Sequence, residues 1–122
     1  MKTIAILGAS AKKEKFGNKC VRAYKQLGWK IFPINPNEKE IEGIKCYSSI
    51  KEILEKPDRV SIYLHSQITL SLIPELKEAG IQEVMLNPGA ESDELISELK
   101  KNNITPIKVC SIRIEGIDPD SL

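Results

Sequence analysis

Apolar residues fall along this chain in short continuous runs, separated by stretches in which apolar side chains recur at helical spacing. The runs are Thr3 to Leu7 (TIAIL), Lys30 to Ile34 (KIFPI), Arg59 to Leu64 (RVSIYL), Glu83 to Leu86 (EVML) and Thr105 to Val109. β-Branched and aliphatic residues without polar alternation are what a strand buried on both faces of a parallel sheet requires. Pro33 lies inside the second run and cannot donate to a ladder, which places that strand at an edge or near its own end. Gly17 to Leu27 sets Cys20, Val21, Tyr24 and Leu27 at helical spacing, with Gly28 as a C-terminal stop. A second helix is expected from Ile68 to Ala79, ended by Gly80, and a third from Ser92 to about Lys101, where Asp93 and Glu94 suit the positive end of the helix dipole. Between the second and third strands, Asn35-Pro36-Asn37 is a turn signal and Ile41 to Tyr47 a short extended excursion. There a further helix is expected from Ser48 or Ser49, because Ser49 with Glu52 is a capping-box pattern, and Pro57-Asp58 closes it.

Strands alternating with helices demand right-handed crossovers and a parallel sheet covered on both faces. The expected fold is α/β: a Rossmann-like, doubly wound, five-stranded parallel sheet in a three-layer α/β/α sandwich. With 122 residues and no linker, repeat or low-complexity stretch, residues 1–122 are expected to form a single domain.

Composition narrows the function more than the fold. A net charge of +1 provides no general attraction for nucleic acid or for a membrane surface. The apolar runs are far shorter than a membrane span, and Met1-Lys2-Thr3 leads straight into a strand without a signal-peptide hydrophobic region, so the expected location is the cytoplasm. Cys20, Cys46 and Cys110 are odd in number and widely spaced, which fits reduced thiols rather than a disulfide framework; with His65 the single histidine, no zinc-ligand spacing exists.

In a doubly wound sheet ligands bind beyond the carboxyl ends of the strands, so the candidate residues can be read directly after each run. The first loop, Gly8 to Gly17, combines small residues with Lys12, Lys13 and Lys15 and opens a helix. Small residues let backbone amides approach an anion, the helix start adds a favourable dipole, and lysines can meet phosphate. The glycines stand too far apart for a GxGxxG fingerprint, and Asn35-Pro36-Asn37 stands where a dinucleotide enzyme places its ribose-binding acid, so a nicotinamide dehydrogenase is disfavoured. His65-Ser66-Gln67 follows the third run and Asn87-Pro88-Gly89-Ala90-Glu91-Ser92 the fourth. His65 is the one candidate for acid–base work, either that or a ligand contact or helix-cap neighbour, and no Ser-His-Asp or Cys-His arrangement supports it. Cys110, after the fifth run, is either a buried inert thiol or one that could meet a thiol cofactor.

In sequence these marks are Gly8-Ala9-Ser10, Gly17-Asn18, Pro33-Ile34-Asn35-Pro36-Asn37, Ile41-Glu42-Gly43 leading to Cys46-Tyr47-Ser48-Ser49-Ile50, then Asn87 to Ser92 and Cys110. Together they resemble the small coenzyme A-binding proteins, whose domain is similar to the nucleotide-binding domain of the succinyl-coenzyme A synthetase α subunit. Met85 and Asn87 depart from the aromatic and glutamine usual in that family's fourth loop. The resemblance implies that the Gly8–Lys13 loop cradles the phosphates of coenzyme A through Gly8, Ala9, Ser10, Lys12 and Lys13, with Phe16 beside it. It also implies that Asn35 and Pro36 border the nucleotide, and that His65, Ser66, Asn87 and Pro88 flank the pantetheine arm. Catalysis is not implied, since the synthetase carries its phosphorylated histidine in another domain.

Three functions are therefore open: a binding module for coenzyme A or acyl-coenzyme A that serves as carrier, sensor or regulator; a small NAD(P)- or acyl-coenzyme A-dependent enzyme using His65; and a subunit of a synthetase-like assembly. The tail from Ile112 to Leu122 packs either on the sheet or on the second subunit of a homodimer.

Overall fold

The computed structural model describes every residue from Met1 to Leu122. In chain order the elements are β1 (Thr3–Leu7), α1 (Phe16–Gln26), β2 (Lys30–Ile34), β3 (Glu40–Ile41), β4 (Ile44–Lys45), β5 (Arg59–Ile62), α2 (Ser66–Glu78), β6 (Glu83–Leu86), α3 (Asp93–Lys101) and β7 (Thr105–Lys108). All five long apolar runs enter one parallel sheet in the order β2-β1-β5-β6-β7. β3 and β4 pair antiparallel as a separate hairpin, which is the expected excursion. No helix is long and apolar enough to cross a membrane.

Side chains along a strand alternate between its two faces, and β1 displays the consequence. Ile4 and Ile6 join Cys20, Val21 and Tyr24 of α1 in one cluster, whereas Ala5 and Leu7 face α2 and α3 in the other. Every residue of β1 is buried. Helices thus cover both faces, and the doubly wound three-layer fold is as the sequence predicts. The two edge strands each contain a proline, Pro33 in β2 and Pro106 in β7, which removes a ladder donor from each side where another strand could add.

The fourth expected helix is a correction. Ser49 does cap a turn, and the Ser49–Glu52 capping box is complete, but the turn is a single 3-10 turn over Ile50–Glu52. Pro57 biases the residue before it away from helical geometry, and so few residues cannot repay the cost of nucleating an α-helix. What the segment contributes is Ile50, which is buried in the α2-side core.

The tail folds back on its own sheet. Tyr24 Oη donates to the Ser111 carbonyl at 2.8 Å, and the Arg59 guanidinium donates to Tyr24 Oη at 2.9 Å and to Glu115 at 2.7 Å. Ile112 is fully buried on the α1 side of the sheet. Burial pushes the Cys20 thiol up to about 12, and pushes the Tyr24 phenol to about 12 against the opposing pull of Arg59. Both groups keep their protons in the fold where the unfolded chain has lost them, so stability falls as pH rises from about 9, the ordinary thiol value, toward about 12. Each such group contributes about 1.4 kcal/mol per pH unit within its window. Urea midpoints measured at pH 8 and pH 10.5 should therefore drop sharply for the native chain and less for Cys20→Ala; equal drops would remove Cys20 from the alkaline transition.

Candidate functional site

β2 and β5 lie on opposite sides of β1, so the chain reverses its direction of travel across the sheet at β1 and β5. At this switch the flanking loops diverge and leave a crevice at the carboxyl ends of the strands. Glycine geometry sets the floor of that crevice. A Cβ on Gly17 would lie 2.2 Å from the Gly8 carbonyl oxygen, so the start of α1 rests directly on the end of β1. Gly8 itself has φ +87°, and a Cβ there would approach the Tyr63 carbonyl carbon at 3.0 Å, so the end of β1 rests in turn on the chain leaving β5.

Above this floor runs the loop from Gly8 to Lys15, held from below by side chains. Asn18, fully buried, donates through Nδ2 to the Ser10 carbonyl at 2.9 Å and to Glu42 Oε2 at 3.1 Å. One turn later Arg22 donates to Asn18 Oδ1 and to the Lys13 carbonyl, both at 2.8 Å. The loop's carbonyls are thereby drawn inward. Its amides are not: those of Ala9, Ser10, Ala11 and Lys13 have no acceptor in the chain, while that of Lys12 is taken by Ser10 Oγ at 3.1 Å. α1 follows its N-cap Lys15 without a side-chain cap, whereas His65 caps α2; neither helix has an acidic residue in its first turn, while α3 has Asp93 and Glu94. Unpaired amides, the uncapped start of α1 and the exposed Lys12, Lys13 and Lys15, with Glu14 the one acid among them, share this loop, an arrangement suited to an anion.

Two cavities flank the loop. On the α2 side a cleft of about 360 Å³ has apolar walls from Ile34, Pro36, Ile50, Leu64, Ile68 and Leu72. Its polar groups are Asn35, Asn37, Ser48, Ser49 and Glu75, with Ser49 Oγ donating to Glu75 Oε2 at 3.2 Å. On the α1 side a cavity of about 310 Å³ is lined by Phe16, Tyr63, Pro88, Cys110 and Arg113. Successive residues after β5 point to opposite sides: Tyr63 lines one cavity and Leu64 the other. The Tyr63 hydroxyl is buried with no hydrogen-bond partner, and burial raises its pKa.

The residues singled out from sequence divide by what their side chains are free to do. Gly8, Ala9, Ser10, Lys12 and Lys13 form the loop, and Phe16, half exposed, stands at its end under the Lys19 ammonium. Asn35 is committed internally: Nδ2 donates to the Ala9 carbonyl at 2.9 Å and Oδ1 accepts from the Asn37 amide at 2.8 Å, tying the loop after β2 to the loop after β1. Pro36 beside it is exposed on the rim. His65 is the N-cap of α2, its Nδ1 accepting from the Gln67 amide at 3.2 Å, and it stands outside both cavities. Ser66 is mostly buried in the first turn. Asn87 is buried and saturated: Nδ2 donates to Ser61 Oγ and the Ile62 carbonyl, and Oδ1 accepts from the Ser111 amide. Its side chain positions the ends of β5 and the tail and is not available to a ligand. Pro88 is exposed and lines the α1-side cavity.

Sequence reasoning placed Gly17 only as the end of the first loop and assigned no site role to Asn18, Tyr63, Ser49, Glu75 or Arg113. The Asn18–Arg22 pair carried a legible signal, two polar residues four apart and so on the same face of one helix. The others are defined by partners distant in sequence.

Residues 2–116 match the family described as the CoA binding domain. The acetate–CoA ligase (ADP-forming) II of Archaeoglobus fulgidus is 34% identical over 119 residues, covering 94% of this chain and 18% of that protein. The corresponding ligase of Methanocaldococcus jannaschii is 30% identical over 115 residues, covering 94% of this chain and 16% of its own length. This chain thus spans less than a fifth of the ligases it matches. Among solved structures, a conserved hypothetical protein from Pyrococcus furiosus superimposes with a TM-score of 0.87 at 32% identity, covering 93% of this chain and 99% of that one.

Proposed function

The chain belongs to the CoA binding domain family, and we propose that it is a module for coenzyme A or acyl-coenzyme A, serving as carrier, sensor or regulatory domain without catalysis of its own. The observation that carries this reading is the row of unpaired amides at Ala9, Ser10, Ala11 and Lys13, backed by the uncapped start of α1 and exposed lysines. A diphosphate bridge matches that set in charge and in acceptor count. The α2-side cleft suits the nucleoside, since its aliphatic walls and Pro36 offer flat apolar contact to a base while Ser48, Ser49 and Glu75 offer polar contact at its edge. The α1-side cavity is left for the thiol-bearing arm.

Catalysis finds no support in the arrangement of His65. Its Nδ1 is engaged by the helix it caps, and no carboxylate contacts it to orient the ring. The same domain occurs in the large ligases and in the Pyrococcus furiosus protein of nearly this chain's length. What proteins of both sizes can share is binding by the domain, not the ligase reaction.

Backbone amide shifts in the ¹⁵N spectrum should map the site. Adding coenzyme A is expected to move the resonances of Gly8 to Lys13, Phe16 and Leu64 to Ser66. Shifts confined to the amino ends of the strands, around Lys56, Gln82 and Thr105, would place the ligand in the groove there and refute this assignment.

A further inference from the structure

Arg113 is the one charged residue lining the α1-side cavity, whose other walls are Phe16, Tyr63, Pro88 and the half-buried Cys110. Its guanidinium takes part in none of the chain's ion pairs; the nearby Glu115 is already bound by Arg59 at 2.7 Å. The backbone that presents it is fixed on both sides. Before it, the Ser111 amide is held by Asn87 Oδ1, the Ser111 carbonyl by Tyr24 Oη and the Ser111 hydroxyl by Ser61 Oγ at 2.7 Å, and Ile112 is buried. After it, Glu115 is anchored through Arg59. Arg113 is itself exposed, so an anchored backbone carries a free guanidinium at the mouth of a mostly apolar cavity, where it can meet an anion that arrives at the end of an apolar chain.

We infer that this cavity is the acyl subsite of the domain, and that Arg113 selects acyl groups ending in a carboxylate, as in thioesters of dicarboxylic acids. The inference rests on the coenzyme A reading above. The phosphates have their own partners in the first loop, and Phe16 links the two places because it begins α1 at the end of that loop and also lines this cavity. An arm leaving the loop past Phe16 and Tyr63 would carry its thioester toward Pro88 and Cys110 and its far end toward Arg113. Phe16, Tyr63 and Pro88 suit methylene groups, and the guanidinium offers the planar pair of donors that a carboxylate accepts.

The test is calorimetric titration of the full chain and of Arg113→Gln with free coenzyme A, succinyl-coenzyme A and butyryl-coenzyme A, the two thioesters matching in chain length. Arg113 supports no other group, so the variant is expected to fold and to bind free coenzyme A as the native chain does. The native chain should bind the succinyl thioester about tenfold more tightly than the butyryl thioester, and Arg113→Gln should reduce the preference to about twofold or less. Equal affinities in the native chain, or a preference that survives in Arg113→Gln, would overturn the subsite while leaving the nucleotide site standing. Failure of all three ligands to bind the native chain would overturn the coenzyme A reading and the subsite with it.

Discussion

Gly17→Ala is expected to destabilise the chain by about 3 kcal/mol, the upper end of what an overpacked core position costs, lowering the melting temperature by roughly 10 °C. The added Cβ would sit 2.2 Å from the Gly8 carbonyl oxygen, 3.1 Å from its carbon and 3.2 Å from the Ala9 Cα, all backbone atoms. None can move alone, because Gly8 rests on the Tyr63 carbonyl and donates its amide to Ile34 at 3.2 Å. Relief must come from lifting α1 off β1, which also disturbs the loop from Gly8 to Lys15. Gly28 at the other end of α1 provides the comparison: its φ is +78° but its Cβ would meet nothing, so Gly28→Ala should cost only the backbone strain, about 1 kcal/mol. Thermal melts of the two variants check this, and a Gly17→Ala chain as stable as Gly28→Ala would refute the close approach of helix and strand.

Ser10→Glu is expected to weaken coenzyme A binding at least about 100-fold, since a carboxylate about 4 Å from a phosphate charge costs several kcal/mol at the effective dielectric of a protein surface. The substitution also withdraws the hydroxyl that accepts from the Lys12 amide. Ser10 is only partly buried and its carbonyl, not its side chain, is what Asn18 holds, so the fold should survive. Ser10→Ala separates the two effects: it loses the hydrogen bond without adding charge and should weaken binding only a few-fold. Fluorescence or calorimetric titration of both variants decides the matter. Undiminished binding by Ser10→Glu would reject the first loop as the phosphate cradle.

The sheet was legible because parallel strands covered on both faces must be written as unbroken apolar runs, and TIAIL, KIFPI and EVML are such runs. The edge position of β2 followed from Pro33 by the same logic. The capping box at Ser49 was also readable, but not the length of what it capped; a cap specifies where a turn starts, and Pro57 allowed only one 3-10 turn to follow. Site residues were legible where chemistry is local, as in the small residues and lysines of the first loop. They were illegible where a role depends on a remote partner. Asn87 reads as a polar residue beyond a strand, yet its amide is spent on Ser61, Ile62 and Ser111. Gly17 reads as a helix-start glycine, and only the fold reveals the carbonyl against it. Arg113 lies in a tail whose course was left open between the sheet and a second subunit. The tail returns to its own sheet because Arg59 and Tyr24 draw it there, and that return carries Arg113 to the cavity.

The deciding measurement is calorimetric titration of the purified chain with coenzyme A, acetyl-coenzyme A, NAD and NADP under identical conditions. A coenzyme A module is expected to bind coenzyme A and acetyl-coenzyme A saturably, one to one, and neither nicotinamide dinucleotide. Binding of NAD or NADP without binding of coenzyme A would contradict that expectation and return a nicotinamide-dependent enzyme to first place.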